Sequence, residues 1–237
     1  MSRIRLYVDH PLGAGQTVPL IREQAHYLFG VMRLGEGAEV LLFNGRDGEW
    51  SARVAEAGKR GGTLACAAQT RPLAPPPDLW LLFAPVKKAR TDFIVEKAVE
   101  MGAARLCPVQ TEFTNSERIR RDRLQAHAVE AAEQCGATTV PEVADLARLD
   151  RLLDGWDPSR RIMLCDETRA GDDAALPAEP GPWAILIGPE GGFSDAERAR
   201  LAALPFTRPV ALGPRILRAD TAAVAALTLW QTQLGDW

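Results

Sequence analysis

Ile185-Leu186-Ile187-Gly188-Pro189-Glu190-Gly191-Gly192 and, further on, Leu212-Gly213-Pro214-Arg215-Ile216-Leu217-Arg218-Ala219-Asp220-Thr221 decide how this chain is read. Each follows or opens on a short apolar run, 183–187 and 209–212, with the length and composition of a buried strand. Each then breaks at glycine and proline and passes into a helical pattern. Ser194 is placed to cap a helix over 195–204, and Glu197 completes a capping box. Asp220 or Thr221 can start and cap the last helix, in which Ala222, Ala225, Ala226 and Leu229 recur at helical spacing. Strands that feed glycine loops into helix N-termini build a ligand crevice, because open α/β sheets bind beyond the carboxyl ends of their strands. The glycines leave room for a ligand against bare backbone.

Several ligand classes are excluded by the same residues. The loop at 188–192 lacks the spacing of a dinucleotide fingerprint, and no Walker lysine follows a glycine loop. Residues 192–196 lack the closing glycine of a nucleophile elbow, which disfavours a serine hydrolase. Cys66, Cys107, Cys135 and Cys165 stand far apart, and the histidines are His10, His26 and His127, so no metal site is expected.

The segments IGPEGGFS (187–194) and LGPRILRADTA (212–222) resemble the ribosomal RNA small subunit methyltransferase E family. These are S-adenosylmethionine enzymes of the SPOUT class that methylate N3 of a uridine in 16S rRNA. The resemblance extends to 97–108, 131–136 and 5–8, and so over nearly the whole chain. It departs from the family at Asp220, usually Glu, and at Tyr27, often a second His. The resemblance implies an α/β protein: an N-terminal PUA-like β-barrel, then a SPOUT-type domain with a C-terminal trefoil knot. It implies a homodimer with the catalytic pocket at the interface, and 16S rRNA, within the 30S subunit, as partner. Its cofactor would lie against Leu164, Ile187, Gly188, Pro189, Glu190, Gly191, Gly192, Leu212, Gly213, Ile216, Leu217 and Thr221.

Methyl transfer to a uracil N3 also demands loss of a proton. Arg215 and Arg218 can hold phosphates or steady a developing uracil anion, and Asp220 is a candidate proton acceptor, although capping the last helix accounts for it equally well.

The rest of the chain fits this division. Residues 1–71 hold five short strand patterns, at 3–8, 17–20, 39–43, 49–55 and 62–68, with one helix expected over 23–33. This is the composition of a small barrel. The proline run at 72–77 is a stiff linker. From 78 to 237, strand and helix patterns alternate, beginning with a strand at 79–84, a helix over 91–101 and a strand at 105–109. A long helix is expected over 117–134, and Glu130, Glu133 and Gln134 near its end are placed to meet Arg215 or Arg218 or to line the cleft. Asp166-Glu167-Thr168 forms a third loop that can close over a ligand.

Net charge is −3, but residues 127–180 carry twelve acidic against five basic side chains, which leaves the remainder free to present a basic face. Candidate RNA contacts are Arg22 and Arg33 in the barrel, Lys87, Lys88 and Arg90 at a strand end, and Arg118 and Arg121 at the long helix. No apolar run reaches the roughly 18 residues of a membrane span and no leader pattern begins the chain, so a cytoplasmic protein without membrane contact is expected. Three other readings stay open: a non-catalytic RNA-binding module, a methyltransferase acting on another RNA, and an α/β enzyme acting on a small nucleotide.

Overall fold

The computed structural model describes residues 4–58, 60–115, 118–171 and 176–237. Arg3 and Glu117, where the sequence pattern starts the first strand and the long helix, lie outside the described residues. Two compact units are present: Met1–Pro75 with Ala132–Val140, and Pro76–Ala131 with Pro141–Trp237.

The first unit is built on β1 (Arg5–Tyr7), β2 (Thr17–Leu20), β3 (Glu39–Phe43), β4 (Glu49–Ala57) and β5 (Gly62–Arg71), in the order β1-β3-β4-β5-β2. The β1–β3 pair is parallel and the others are antiparallel. One apolar cluster joins Leu6 and Val18 of the two edge strands with Leu42, Val54 and Leu64 of the central ones, so the sheet curls round a single core. Register shifts along the β4–β5 pair supply the bends.

The helix expected over 23–33 takes a different form. A short α1 (Arg22–Ala25) widens into a π-helical segment, His26–Val31, and Arg33 follows at φ 55°. Ala25 and Leu28 both lie in the core, and the π-helical segment replaces the uniform α-helix that was expected.

Glu49 is the polar centre of this unit. It is 3% exposed and accepts hydrogen bonds from Arg5 Nε (2.7 Å), Arg71 Nη2 (2.5 Å) and Thr70 Oγ1 (2.9 Å). The other nitrogens of Arg5 donate to the carbonyls of Ala132 (2.6 Å), Glu133 (3.0 Å) and Ala137 (2.7 Å), which satisfies the open end of α3 (Arg121–Cys135). This explains why 132–140 belongs to the first unit, although sequence order puts these residues in the 78–237 domain. Glu133 accepts the Tyr7 N–H at 2.9 Å.

The second unit holds β6 (Leu79–Phe83), β7 (Arg105–Gln110), β8 (Glu142–Val143), β9 (Ala147–Arg148), β10 (Arg161–Cys165), β11 (Trp183–Ile187) and β12 (Thr207–Val210). The order is β12-β10-β11-β6-β7-β8, with β9 also on β7, and every pairing is parallel. Its helices are α2 (Lys88–Glu100), the first part of α3, α4 (Leu149–Asp154), α5 (Asp195–Ala203) and α6 (Ala219–Leu234). Strand β11 is buried at all five positions, which accounts for its continuous apolar run. Among the described residues no helix is long and apolar enough to cross a membrane.

Burial acts to raise the Glu49 pKa, but the hydrogen bonds from Arg71, Arg5 and Thr70 outweigh it and hold the value at about 2, against an ordinary 4.5. A depressed carboxylate stabilises the fold above its unfolded pKa, and that contribution is lost as pH falls from about 4.5 towards 2. Glu49→Gln should therefore lower the stability of the first unit at pH 7 by roughly 2–4 kcal/mol, read from amide exchange of β4 and β5 in urea. The difference between variant and wild type should shrink across that acid window; a constant difference would contradict the assignment.

Candidate active site

Three neighbouring parallel strands of the second unit end at one level. Cys165, the last residue of β10, is paired with Ile187 of β11 on one side and Val210 of β12 on the other. These three side chains are buried and form the floor of a cleft of about 370 Å³. Burial pushes the Cys165 thiol up to about 12, so it lines the cleft as a neutral, apolar group.

The walls are the loops that leave the three strands. From β11 come Gly188, Pro189 and Glu190; from β12 come Leu212, Gly213, Arg215, Ile216, Leu217 and Arg218; from β10 come Asp166, Glu167 and Ala170. Ala219 and Ala222, in the first turns of α6, close the space, and their small side chains keep it open. The β10 and β12 loops are joined directly, Gly171 N–H to Gly213 O at 3.0 Å.

Two arginines fix the acidic part of this lining. Arg198 on α5 contacts Asp166 (Nε–Oδ2, 3.2 Å) and Glu167 (Nη2–Oε1, 2.8 Å). The capping box that starts α5 is present: Ser194 Oγ accepts Glu197 N–H at 3.3 Å, and Glu197 accepts Ser194 N–H at 3.0 Å. Arg90 of α2 bonds to Glu190 and lies 3.8 Å from Asp220 Oδ2. The guanidinium groups of Arg215 and Arg218, by contrast, are exposed, and no ion pair to either is found among the described residues.

Most of the expected cofactor contacts thus meet in one cleft, but four do not line it. Leu164 precedes Cys165 on a strand, so it points to the opposite face and packs with Leu82, Ile162 and Leu186. Thr221 is exposed on α6. Gly191 and Gly192 lie against the protein's own side chains. A Cβ on Gly191 would lie 3.2 Å from Phe113 Cβ, and one on Gly192 would lie 1.9 Å from Glu167 Oε1 at φ +71°.

Asp220 also differs from its expected place. The N-cap of α6 is Arg218, which makes no side-chain cap, and Asp220 sits inside the first turn, accepting the Thr221 N–H at 3.1 Å. A carboxylate there is favoured by the helix dipole and satisfies one of the first-turn amides that lack an intrahelical partner. Arg90, expected to reach RNA, is held by its two carboxylates. Arg121 is likewise engaged, with Nε on the Val143 carbonyl at 2.6 Å. Arg22, Arg33, Lys87, Lys88 and Arg118 are exposed. Neither Arg198 nor Phe113 stood out from the sequence, because each matters only through partners distant in the chain.

Known proteins align with this architecture. The family model for an RNA methyltransferase domain matches residues 74–231, and that for an RNA methyltransferase PUA domain matches 20–64. Ribosomal RNA small subunit methyltransferase E of Rickettsia conorii is 27% identical over 96% of this chain and 94% of its own. The protein of the same name from Synechocystis is 31% identical over 89% of this chain and 71% of its own. The crystal structure of a ribosomal RNA small subunit methyltransferase E from Neisseria gonorrhoeae, bound to S-adenosyl methionine, superposes with a TM-score of 0.91 at 28% identity, covering 100% of both chains.

Gly192→Ala combines a left-handed backbone with a side chain driven into Glu167, and should cost roughly 2–4 kcal/mol of stability. Gly213→Ala, at φ +98° with nothing within 4 Å of the new Cβ, should cost only the backbone part, about 1–2 kcal/mol. Adding Glu167→Ala to Gly192→Ala should recover part of the loss. Equal costs for the two glycine variants in thermal unfolding, with no recovery, would show that the Glu167 contact does not govern this loop.

Proposed function

Because the chain belongs to the ribosomal RNA small subunit methyltransferase E family, we propose that it methylates N3 of a specific uridine in 16S rRNA, within the 30S subunit, with S-adenosylmethionine as methyl donor. The first unit has the PUA-like fold of that family and the second its SPOUT-type methyltransferase fold. The observation that carries the proposal is the convergence of three strand-end loops on one cleft with an apolar floor. Its volume falls in the range of roughly 300–1,000 Å³ of small-molecule sites. We further propose that the protein acts as a cytoplasmic homodimer, which rests on the family alone.

The lining suits this cofactor. Val210, Cys165 and Ile187 offer apolar surface for an aromatic base and a thioether-like chain, and the backbone of 188–190 and 212–213 offers hydrogen bonds to polar edges. Asp166 and Glu167, steadied by Arg198, place negative charge beside a positively charged ligand. When bound, S-adenosylmethionine supplies an electrophilic methyl carbon on a sulfonium, which leaves as a neutral thioether. The chain must hold the acceptor base in line and take up or disperse the N3 proton.

Arg218, for which no carboxylate partner is found among the described residues, is assigned to the developing uracil anion, and Arg215 to an RNA phosphate. Asp220 is assigned to accept the N3 proton, in addition to holding the Thr221 N–H and pairing with Arg90. Arg22 and Arg33 in the first unit, and Lys87, Lys88 and Arg118 in the second, are assigned to RNA phosphates.

Purified protein, labelled S-adenosylmethionine and unmodified 30S subunits test the proposal. One labelled uridine in 16S rRNA, carrying the methyl group at N3, is the expected product; label on another atom or no transfer would overturn it. Arg218→Ala should lower single-turnover transfer by roughly 10²-fold with cofactor affinity kept. Asp220→Asn should slow transfer at neutral pH, with the deficit easing as pH rises; a normal rate would remove Asp220 as the acceptor.

A further inference from the structure

On the methyltransferase reading, one cleft has to bind a cationic cosubstrate while facing a polyanion. Arg90, Arg215 and Arg218 line it against Glu190, which leaves a surplus of two positive charges on those walls. Such a surplus suits RNA and repels a sulfonium. Asp166 and Glu167, in the loop after β10, cancel it. We propose that this carboxylate pair is the cofactor-selecting element of the cleft, with Arg198 as its positioning residue. It favours the sulfonium of S-adenosylmethionine over the neutral thioether of the product, S-adenosylhomocysteine. The inference rests on the methyltransferase reading and adds to it what tells fresh cofactor from spent.

Both carboxylates are held in place. Asp166 has a side chain only 8% exposed, and it accepts the Thr168 N–H at 3.0 Å, which caps the turn at Glu167–Arg169. Glu167 Oε1 packs against the bare backbone of Gly192, in the space a Cβ there would need. Among the described residues Arg198 is the one side chain from outside the loop that bonds to either, Nε to Asp166 Oδ2 at 3.2 Å and Nη2 to Glu167 Oε1 at 2.8 Å. It stands behind the pair, outside the lining of the cleft, so what the ligand meets is carboxylate. The far end of the loop is fixed to the β12 loop through Gly171 and Gly213.

A cleft of about 370 Å³ is roughly 8 Å across, so a charge on its ligand lies within about that distance of the pair. At that range, with an effective dielectric of about 20 to 80, one unit charge changes affinity by about 2- to 30-fold. On transfer the S–CH3 bond breaks with its electron pair left on sulfur, the methyl carbon bonds to N3, and the N3 proton passes to its acceptor. The ligand thereby loses one positive charge while the carboxylates keep theirs. The attraction that held the substrate is withdrawn from the product, which favours its release. The amino and carboxylate groups are common to both ligands, so the ratio of their affinities isolates the sulfonium.

The test uses the full chain and calorimetry at low salt, with S-adenosylmethionine and S-adenosylhomocysteine titrated separately. The quantity read is the preference for the first over the second. Asp166→Asn/Glu167→Gln keeps the side-chain shapes and an acceptor for the Thr168 N–H. It should lower that preference about 10-fold, by weakening S-adenosylmethionine while S-adenosylhomocysteine changes less than about 2-fold. Glu167→Gln alone, at a partly exposed side chain, should lower it about 3-fold. Arg198→Ala removes a positive charge, and by charge alone would raise the preference. As loss of the positioning residue it should lower the preference instead, and Arg198→Lys should restore most of it. An unchanged preference in the neutral variants would overturn the inference, as would an equal weakening of both ligands. A preference that rises in Arg198→Ala would overturn the positioning role. If wild-type protein binds both ligands while these variants leave the preference unchanged, only the charge selection is wrong. If it binds neither, the methyltransferase reading fails and the inference fails with it.

Discussion

The register of β12, β10 and β11 is the constraint on which the candidate site depends. Because Val210, Cys165 and Ile187 stand side by side, the loops leaving those strands begin at the same height and enclose one space. A slip of one residue in β10 would turn Leu164 to the floor and Cys165 to the other face. Packing opposes that slip: every residue of β11 is buried, and four of the five in β10, so a shift would drive side chains of different size into filled space on both faces. Backbone hydrogen bonding in a buried parallel ladder adds to the penalty, since unpaired amides there would meet no water.

Arginines then decide which charges are fixed and which are available. Arg198 anchors the acidic loop after β10, and Arg90 anchors Glu190 and Asp220 on either side of the cleft mouth. In the first unit Arg5 and Arg71 do the same for Glu49. Arg215 and Arg218 stand apart, for no such partner is found among the described residues. The acidic overall charge of the chain is therefore compatible with a polyanionic substrate, because what a phosphate meets is the local set of uncommitted cations.

Local patterns in the sequence carried much of this. The five strands of the first unit, the buried run at Trp183–Ile187 and the Ser194–Glu197 box are all set by neighbours in the chain, and each is found in the structure. What depended on distant partners was not legible. The packing of Gly191 and Gly192 against Phe113 and Glu167 depends on residues distant in the chain. The commitment of Arg90 lies with Glu190 and Asp220, and the place of 132–140 lies with Arg5. The last helix begins at Ala219, with Arg218 at the N-cap and no side-chain bond there, two residues before the nearer of the expected caps, Asp220. The π-helical widening after Ala25 has no local signature in the sequence.

The central claim is that the cofactor rests on the row Val210–Cys165–Ile187 and touches all three loops above it. Amide hydrogen exchange with and without saturating S-adenosylmethionine tests this most directly. Slowed exchange confined to the loops after β10, β11 and β12 and to the first turn of α6 is the predicted result. Protection elsewhere with those loops unchanged, or no protection at saturation, would contradict it.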